Sequence, residues 1–287
     1  MPWANYHSHT HYCDGTDKPE TYLQAAEKLG LVAYGFSSHA PVPYPSCQWA
    51  MKQERLLNYI SEVNALKNTS EVEVYLCLEI DYVPEEMGPS SPWIKEAQLD
   101  YSLASVHFVD FHKNGDPWET DGLLGEFEKG LHGIFNGDAR KAVERYNEIT
   151  RHMVEHDCPQ IIGHLDKIKM QNSRKPFFSE EENWYQKEIQ QTLECIAATE
   201  AIVEVNTRGL YKKRAFETYP GRKALELCRD MHIPLMLNSD GHHPREIIAE
   251  FETAAELLTE LGIKQLWAFI GGQFQPFPFN KQGLIIS

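Results

Sequence analysis

Near the start of the chain, the stretch Tyr6-His7-Ser8-His9-Thr10-His11-Tyr12-Cys13-Asp14-Gly15 sets two imidazoles, His7 and His9, two residues apart. A carboxylate, Asp14, waits on the turn behind them. Residues two apart on an extended chain face the same side. Nitrogen and carboxylate oxygen together are the donor set of a divalent metal. Alone, a His-x-His is weak evidence, because paired histidines are also ordinary polar surface. Here the pattern recurs. His39 follows the apolar run 31–38, Glu79 sits near the end of 72–81, and His107 follows 101–106. His164 closes 160–164, while Asp240 and His242 follow 234–238.

The elements that must position these groups alternate regularly. Apolar, β-compatible runs at 4–8, 31–38, 72–81, 101–106, 160–164, 202–206 and 234–238 are separated by stretches with helical spacing at 20–29, 51–67, 138–156, 180–199, 220–232 and 247–261. Gly30 stands where a helix C-terminus expects a glycine. The runs lack period-2 patterning, which marks strands buried on both faces of a parallel sheet or barrel wrapped by helices. In a (β/α) barrel the chemistry gathers at the C-terminal strand ends, where the candidates fall. Residues 110–136, rich in glycine and charge, read as an inserted loop with one short helix, a length more often functional than idle. The tail 265–287 reads as a final β-type segment and an irregular end. With no repeat or linker, 1–287 is expected to be one domain.

Composition narrows the partners. A formal net charge of −15, spread along the chain, argues against nucleic acid or an anionic membrane as a partner. It leaves room for a small phosphate ester held by metals and a few local cations. No run approaches the roughly 18 apolar residues of a membrane helix, and no signal-type segment opens the chain. The six cysteines are scattered without a C-x-x-C pair, as expected of reduced thiols in a cytoplasmic protein.

Taken singly, most histidines are satisfied polar groups. His112, His132, His152, His156 and His232 fall off the strand ends and are read that way, while His11 and His243 flank the motifs and stay open. The nine groups at strand ends, His7, His9, Asp14, His39, Glu79, His107, His164, Asp240 and His242, exceed what one tetrahedral ion uses. Two or three divalent ions are expected, with zinc, iron and manganese equally suited to imidazole and carboxylate. Adjacent ions serve hydrolysis of phosphate esters and of amides. Arg208, in Asn206-Thr207-Arg208-Gly209, favours phosphate through its bidentate fork. Lys212 to Arg214 read as a solvated loop.

These motifs resemble the PHP (polymerase and histidinol phosphatase) superfamily, within it the histidinol-phosphate phosphatase branch. The likeness runs nearly end to end. It is carried by His7-Ser-His9 with Cys13-Asp14-Gly15, Ser38-His39-Ala40, Leu78-Glu79-Ile80-Asp81-Tyr82 and Ser105-Val106-His107-Phe108. It continues through Gly163-His164-Leu165-Asp166, Glu204-Val205-Asn206-Thr207 and Ser239-Asp240-Gly241-His242. The resemblance implies an α/β fold, a distorted seven-stranded (β/α) TIM-like barrel, with a trinuclear site. One ion would be held by His7, His9, Glu79 and Asp240, a second by Glu79, His107 and His164, and a third by Asp14, His39 and His242. A metal-bound hydroxide would attack phosphorus in line and L-histidinol would leave, in a step of histidine biosynthesis. His7, His9, Glu79, Asp240 and Arg208 are the catalytic candidates; Arg208, Asn206, Lys169 and His243 are the candidates for substrate contact.

The runner-up is a PHP phosphoesterase acting on nucleotides or other small phosphate esters. An amidohydrolase-type enzyme would commonly bring a carboxylated lysine, and no strand end carries one. A metal-stabilised structural or binding module would be expected to have lost part of the set. Sequence leaves the oligomeric state open.

Overall fold

The computed structural model describes residues 2–286. Its first sheet is parallel and consists of β1 (Ala4–Asn5), β2 (Ala33–Phe36) and β3 (Glu73–Leu76), in that order. α1 (Pro19–Leu29) and α2 (Leu56–Leu66) make the crossovers. Proline in the first turn of α1 and Gly30 at φ 69° behind it stop that helix at both ends, as its sequence requires.

The run expected as one strand over 72–81 is two. Cys77 N bonds Phe36 O at 2.7 Å, and Glu79 N then turns to Ser37 O and Ser38 O. The chain bends between them, and β4 (Glu79–Asp81) opens a second parallel sheet. α3 (Pro92–Glu96) leads to β5 (Leu103–Ser105).

The expected loop 110–136 is also corrected. It is an antiparallel hairpin, β6 (Phe108–Phe111) with β7 (Pro117–Glu119), followed by the 12-residue helix α4 (Leu124–Phe135). Asn114-Gly115 makes the turn, with Gly115 at φ 87°. Gly130 in α4 leaves room for Trp118 of the hairpin, whose ring atoms stand 1.9 Å from where a Cβ would be.

α5 (Ala139–His156), capped by Asp138, leads to β8 (Ile161–Ile162), and α6 (Asn183–Ala197) leads to β9 (Ile202–Asn206). The short α7 (Arg208–Tyr211) and then α8 (Arg222–Asp230) lead to β10 (Leu235–Asn238). The second sheet runs β10-β9-β8-β5-β4, all parallel. α9 (Phe251–Glu260) then precedes an antiparallel sheet of β11 (Gln265–Ile270), β12 (Gln273–Asn280) and β13 (Gly283–Leu284). The tail is therefore more regular than expected, with Ser287 outside the described residues.

Isolated parallel bridges join His39 to Glu79 and Ser8 to Gly241, so the loops after strands of both sheets meet at one end. Every residue of β2, β9 and β10 is buried, which is why their sequences are apolar without alternation. One hydrophobic cluster runs from Trp3 to Leu284. No helix of the described residues is long and apolar enough to cross a membrane.

Candidate metal centre

Beyond β1 the chain stays extended and is held from both sides. Ser8 N donates to Ser37 Oγ at 2.9 Å, Ser8 Oγ to Gly35 O at 3.0 Å, and His9 N to Gly241 O at 2.9 Å. That clamp turns His7 and His9 toward the same interior point. Glu79, fully buried at the bend into β4, is the hub. Its Oε2 lies 3.1 Å from His7 Nε2, 3.1 Å from His39 Nδ1 and 3.4 Å from His9 Nε2. Its Oε1 lies 2.8 Å from His164 Nε2 and 3.7 Å from His107 Nε2, and accepts from Ser105 Oγ at 2.7 Å.

Asp240 Oδ1 stands 3.1 Å from His9 Nε2, on a backbone at φ 53° that costs an aspartate some strain. Arg208 Nη1 and Tyr211 Oη hold that conformation by donating to Asp240 O at 2.7 and 2.9 Å. Asp14, a third exposed at the rim, reaches His242 Nε2 at 3.2 Å and His39 Nε2 at 3.8 Å. All nine residues expected from sequence therefore converge. Their grouping differs in detail from the expected one. Compatible donor atoms fall into His9-Asp14-His39-His242, His7-His9-Asp240 and His39-Glu79-His107. His9 and His39 thus stand between groups.

Two carboxylates behind the ring had no assigned role in the sequence reading. Glu204 Oε1 lies 2.7 Å from His7 Nδ1, and Asp81 Oδ1 lies 2.7 Å from His107 Nδ1. A carboxylate on one ring nitrogen fixes the tautomer and aims the other nitrogen's lone pair outward, the usual support of a metal-ligating histidine. Both lie two residues from a recognised position on the same strand (Glu204 beside Asn206, Asp81 beside Glu79). The period-2 rule could have found them.

The chemistry of the donors fits divalent cations. His7 Nε2, His9 Nε2, His39 Nδ1 and His107 Nε2 are buried without a hydrogen-bond partner, although buried polar atoms are normally paired. Charge points the same way. Burial opposes an imidazolium at His7, yet Glu204, Glu79 and Asp240 hold its pKa well above the ordinary value. Burial likewise opposes charge on His9 and His107, but the Asp240 carboxylate 3.1 Å from the first and the charge of Asp81 at the second raise both to about 9. Burial and Lys167 lower His164 to about 4. The raised values at His7, His9 and His107 mark where positive charge neutralises the carboxylates, and a metal binding there competes with those protons.

A cavity of about 160 Å³ opens above the cluster. Trp49, Glu119, Asp121, Lys167, Arg208 and Arg214 wall it. Lys167, missed in the sequence, is 5% exposed; its Nζ lies 3.0 Å from Asp121 Oδ2 and 3.6 Å from Asp240 Oδ2. Its spacing of three from His164 was the available signal, since a tight turn places such residues side by side. Asp121 and Glu119 come from the hairpin segment, which therefore reaches the cleft. Arg208 is tied down more firmly than expected of a free phosphate fork, since Nη1 also meets His242 Nδ1 at 2.7 Å.

Three expected substrate contacts are placed elsewhere. Asn206 is buried beneath the site, donating to Glu204 Oε2 at 2.9 Å and accepting from Arg208 N, because its side chain is consumed by that support. His243 caps a short turn by accepting from Arg245 N at 3.1 Å. Lys169 points away from the cleft into its own carboxylates, Asp166 Oδ2 at 2.8 Å and Glu217 Oε1 at 2.6 Å. His11 stays outside the cluster, its ring against Tyr12 at 4.5 Å.

Comparison with known proteins gives a consistent picture. The PHP domain family model matches residues 5–208. The Deinococcus radiodurans protein named Probable histidinol-phosphatase is 27% identical over 266 residues, spanning 89% of this chain and 92% of that protein. The fold is similar to that of the candidate histidinol phosphatase hisK of Listeria monocytogenes, at TM-score 0.75 and 23% identity over 87% of this chain and 99% of that one. It is also similar to the Lactococcus lactis histidinol phosphate phosphatase, whose structure holds zinc, L-histidinol and phosphate. There the TM-score is 0.73 at 20% identity, covering 95% of this chain and 98% of that one.

Proposed function

This chain belongs to the PHP domain family, and we propose that it is a histidinol-phosphate phosphatase, hydrolysing L-histidinol phosphate to L-histidinol and phosphate. The observation that carries the reaction is the ring of buried imidazole nitrogens without partners around Glu79 and Asp240, set directly beneath Lys167 and Arg208. The substrate follows from relatives named histidinol-phosphatase that align along nearly all of their own length. A product L-histidinol supports a step in histidine biosynthesis. We read 1–287 as one domain, supported by its continuous core, and its strands as a ring of seven positions in which β3 and β4 share one.

His7, His9, Asp14, His39, Glu79, His107, His164, Asp240 and His242 would hold two or three divalent ions, zinc first among them. When bound, such ions polarise phosphate oxygens and lower the pKa of water. The remaining work belongs to the chain. Glu204 and Asp81 keep the imidazoles in register. Lys167 and Arg208 offer N–H donors to the non-bridging oxygens, whose charge spreads in the transition state. Asp121 holds the Lys167 ammonium in place. Trp49, Glu119 and Arg214 line the mouth through which the alcohol departs.

Phosphate release from L-histidinol phosphate, measured beside a phosphodiester and a nucleotide with and without chelator, tests the reading. Turnover confined to L-histidinol phosphate and lost on chelation is expected. A preference for the nucleotide or diester would reject this substrate.

A further inference from the structure

The turn that follows His164 serves two places at once. Lys167 N and Lys169 N both close short backbone bonds within it, to His164 O and Asp166 O. Lys167 points into the cleft and Gln171 Nε2 donates to Gly122 O in the cleft wall at 2.9 Å, while Asp166 and Lys169 point to the opposite side. There the Lys169 ammonium, 3% exposed, bonds three segments together. They are its own turn through Asp166 (2.8 Å), the strand-to-helix connection through Glu180 (3.4 Å), and the loop after α7 through Glu217 (2.6 Å). Gly221 N adds a bond to Asp166 Oδ2 at 3.0 Å, and Ser173 Oγ donates to Arg214 O. The loop so held begins at α7, which carries Arg208, and includes Arg214.

Resting on the phosphatase reading above, we propose that Lys169 is a positioning residue. It joins the loop 212–221 to the turn 164–173 and so fixes where Lys167 and Arg214 stand in the phosphate cleft. It touches no substrate. A lysine held by three carboxylates on three segments loses its geometry as a unit when any one tie is cut. The loss should therefore appear in anion binding rather than in metal binding, because none of the donor groups placed to hold a metal ion among the described residues includes Asp166, Glu180 or Glu217.

The test uses zinc-loaded full-length protein. KM and kcat for L-histidinol phosphate, Kd for inorganic phosphate and zinc content are compared among wild type, Lys169→Met, Lys169→Arg and Glu217→Gln. Lys169→Met should raise both KM and the phosphate Kd about tenfold, change kcat by less than about threefold and leave zinc content unchanged. Lys169→Arg should recover most of the lost binding. Unchanged KM and Kd, or parallel loss of zinc and kcat, would overturn the proposal. Should Lys169→Met fail to fold, Glu217→Gln decides. Its carboxylate is 34% exposed and its loss should raise KM and Kd a few-fold, whereas no change would refute the tie. A wild type that binds phosphate but does not turn over L-histidinol phosphate refutes the substrate reading alone. The Kd comparison still tests Lys169 in that case. An active wild type with flat Kd across the variants refutes the positioning reading alone.

Discussion

Two acidic clusters lie on opposite sides of the turn 164–173, and they settle their charge in opposite ways. At the rear, Asp166, Glu180 and Glu217 surround an ammonium that the chain itself supplies, at 2.6 to 3.4 Å. At the front, Glu79 and Asp240 are surrounded by imidazoles, four of which (His7, His9, His39 and His107) turn inward a nitrogen without a hydrogen-bond partner. Burial penalises a lone charge severely, so each cluster needs a cation. At the rear one ammonium serves the buried Asp166 while Glu180 and Glu217 keep contact with solvent; at the front Lys167 and Arg208 are shared with Asp121 and with His242, and Glu79 and Asp240 are both buried. Buried carboxylates are thus no signal of a metal by themselves. The signal is carboxylates ringed by imidazoles that are themselves held from behind by further carboxylates.

The largest way to break this comparison is to remove a front ligand. Asp240→Asn should reduce turnover on the order of a thousandfold or more, about 4 kcal/mol of transition-state stabilisation. Circular dichroism of the metal-loaded variant should stay native. Turnover within tenfold of wild type would remove Asp240 from the metal set. Chelation belongs to the same class of effect. A chelator should lower the melting temperature, because bound ions stabilise only the folded state. The drop should be as large in Lys169→Met as in wild type, since the rear carboxylates belong to none of the groups placed to hold an ion among the described residues.

The rear cluster responds to charge removal differently. Lys169→Met alone leaves Asp166 buried without its ion-pair partner, a change that typically costs about 3 kcal/mol. Adding Asp166→Asn should return part of that loss in urea unfolding, because removing both partners is cheaper than removing one. Additive losses would mean that the two residues do not act as a pair.

How much of this contrast was legible beforehand varies with the residue. The nine front groups could be read because each ends an apolar run or, for Asp14, sits on the turn just beyond one, and strand ends meet on one side of a parallel fold. Lys169 was misread for a related reason. It lies five residues past His164 on a tight turn, where a step of two reverses the side that a side chain faces, and the sequence does not say which side holds the substrate. The break after Leu76 was hidden because Cys77 and Leu78 are as buried as the strands that flank them. The hairpin was present in Asn114-Gly115, a strong turn signal flanked by Phe108, Phe111 and Trp118. Its neighbouring charges masked it, and the glycines of α4 masked the helix.

Acidity offers a smaller effect with a definite sign. Burial raises the pKa of Asp166 and Glu180, against the attraction of Lys169. A carboxyl whose folded pKa is raised binds its proton more tightly folded than unfolded. Its penalty is therefore absent below the unfolded value, roughly pH 4, and complete above the raised folded value. Melting temperature of the metal-loaded protein should carry a shallow decline from this pair as pH climbs through that window. Asp166→Asn should remove the share that Asp166 contributes. An identical slope in the variant would show that Asp166 titrates as it does in the unfolded chain.

The gentlest probe of the rear cluster leaves every charge in place. Gly221 has φ −75°, a backbone that any residue adopts, so alanine there brings no conformational strain. Its Cβ, however, would stand 2.4 Å from both Lys169 Nζ and Glu217 Oε2. Both are the far ends of long, flexible side chains and can withdraw by the roughly 1 Å that van der Waals contact requires, at the expense of the 2.6 Å contact between Lys169 and Glu217. Gly221→Ala should therefore raise KM for L-histidinol phosphate only about twofold to threefold, under 1 kcal/mol, with kcat and zinc content unchanged. The same substitution made in Glu217→Gln should add nothing further, because the tie it strains is already cut. Additive effects of the two would place the influence of Gly221 outside the Lys169 cluster, and the front and rear of the turn would then be independent.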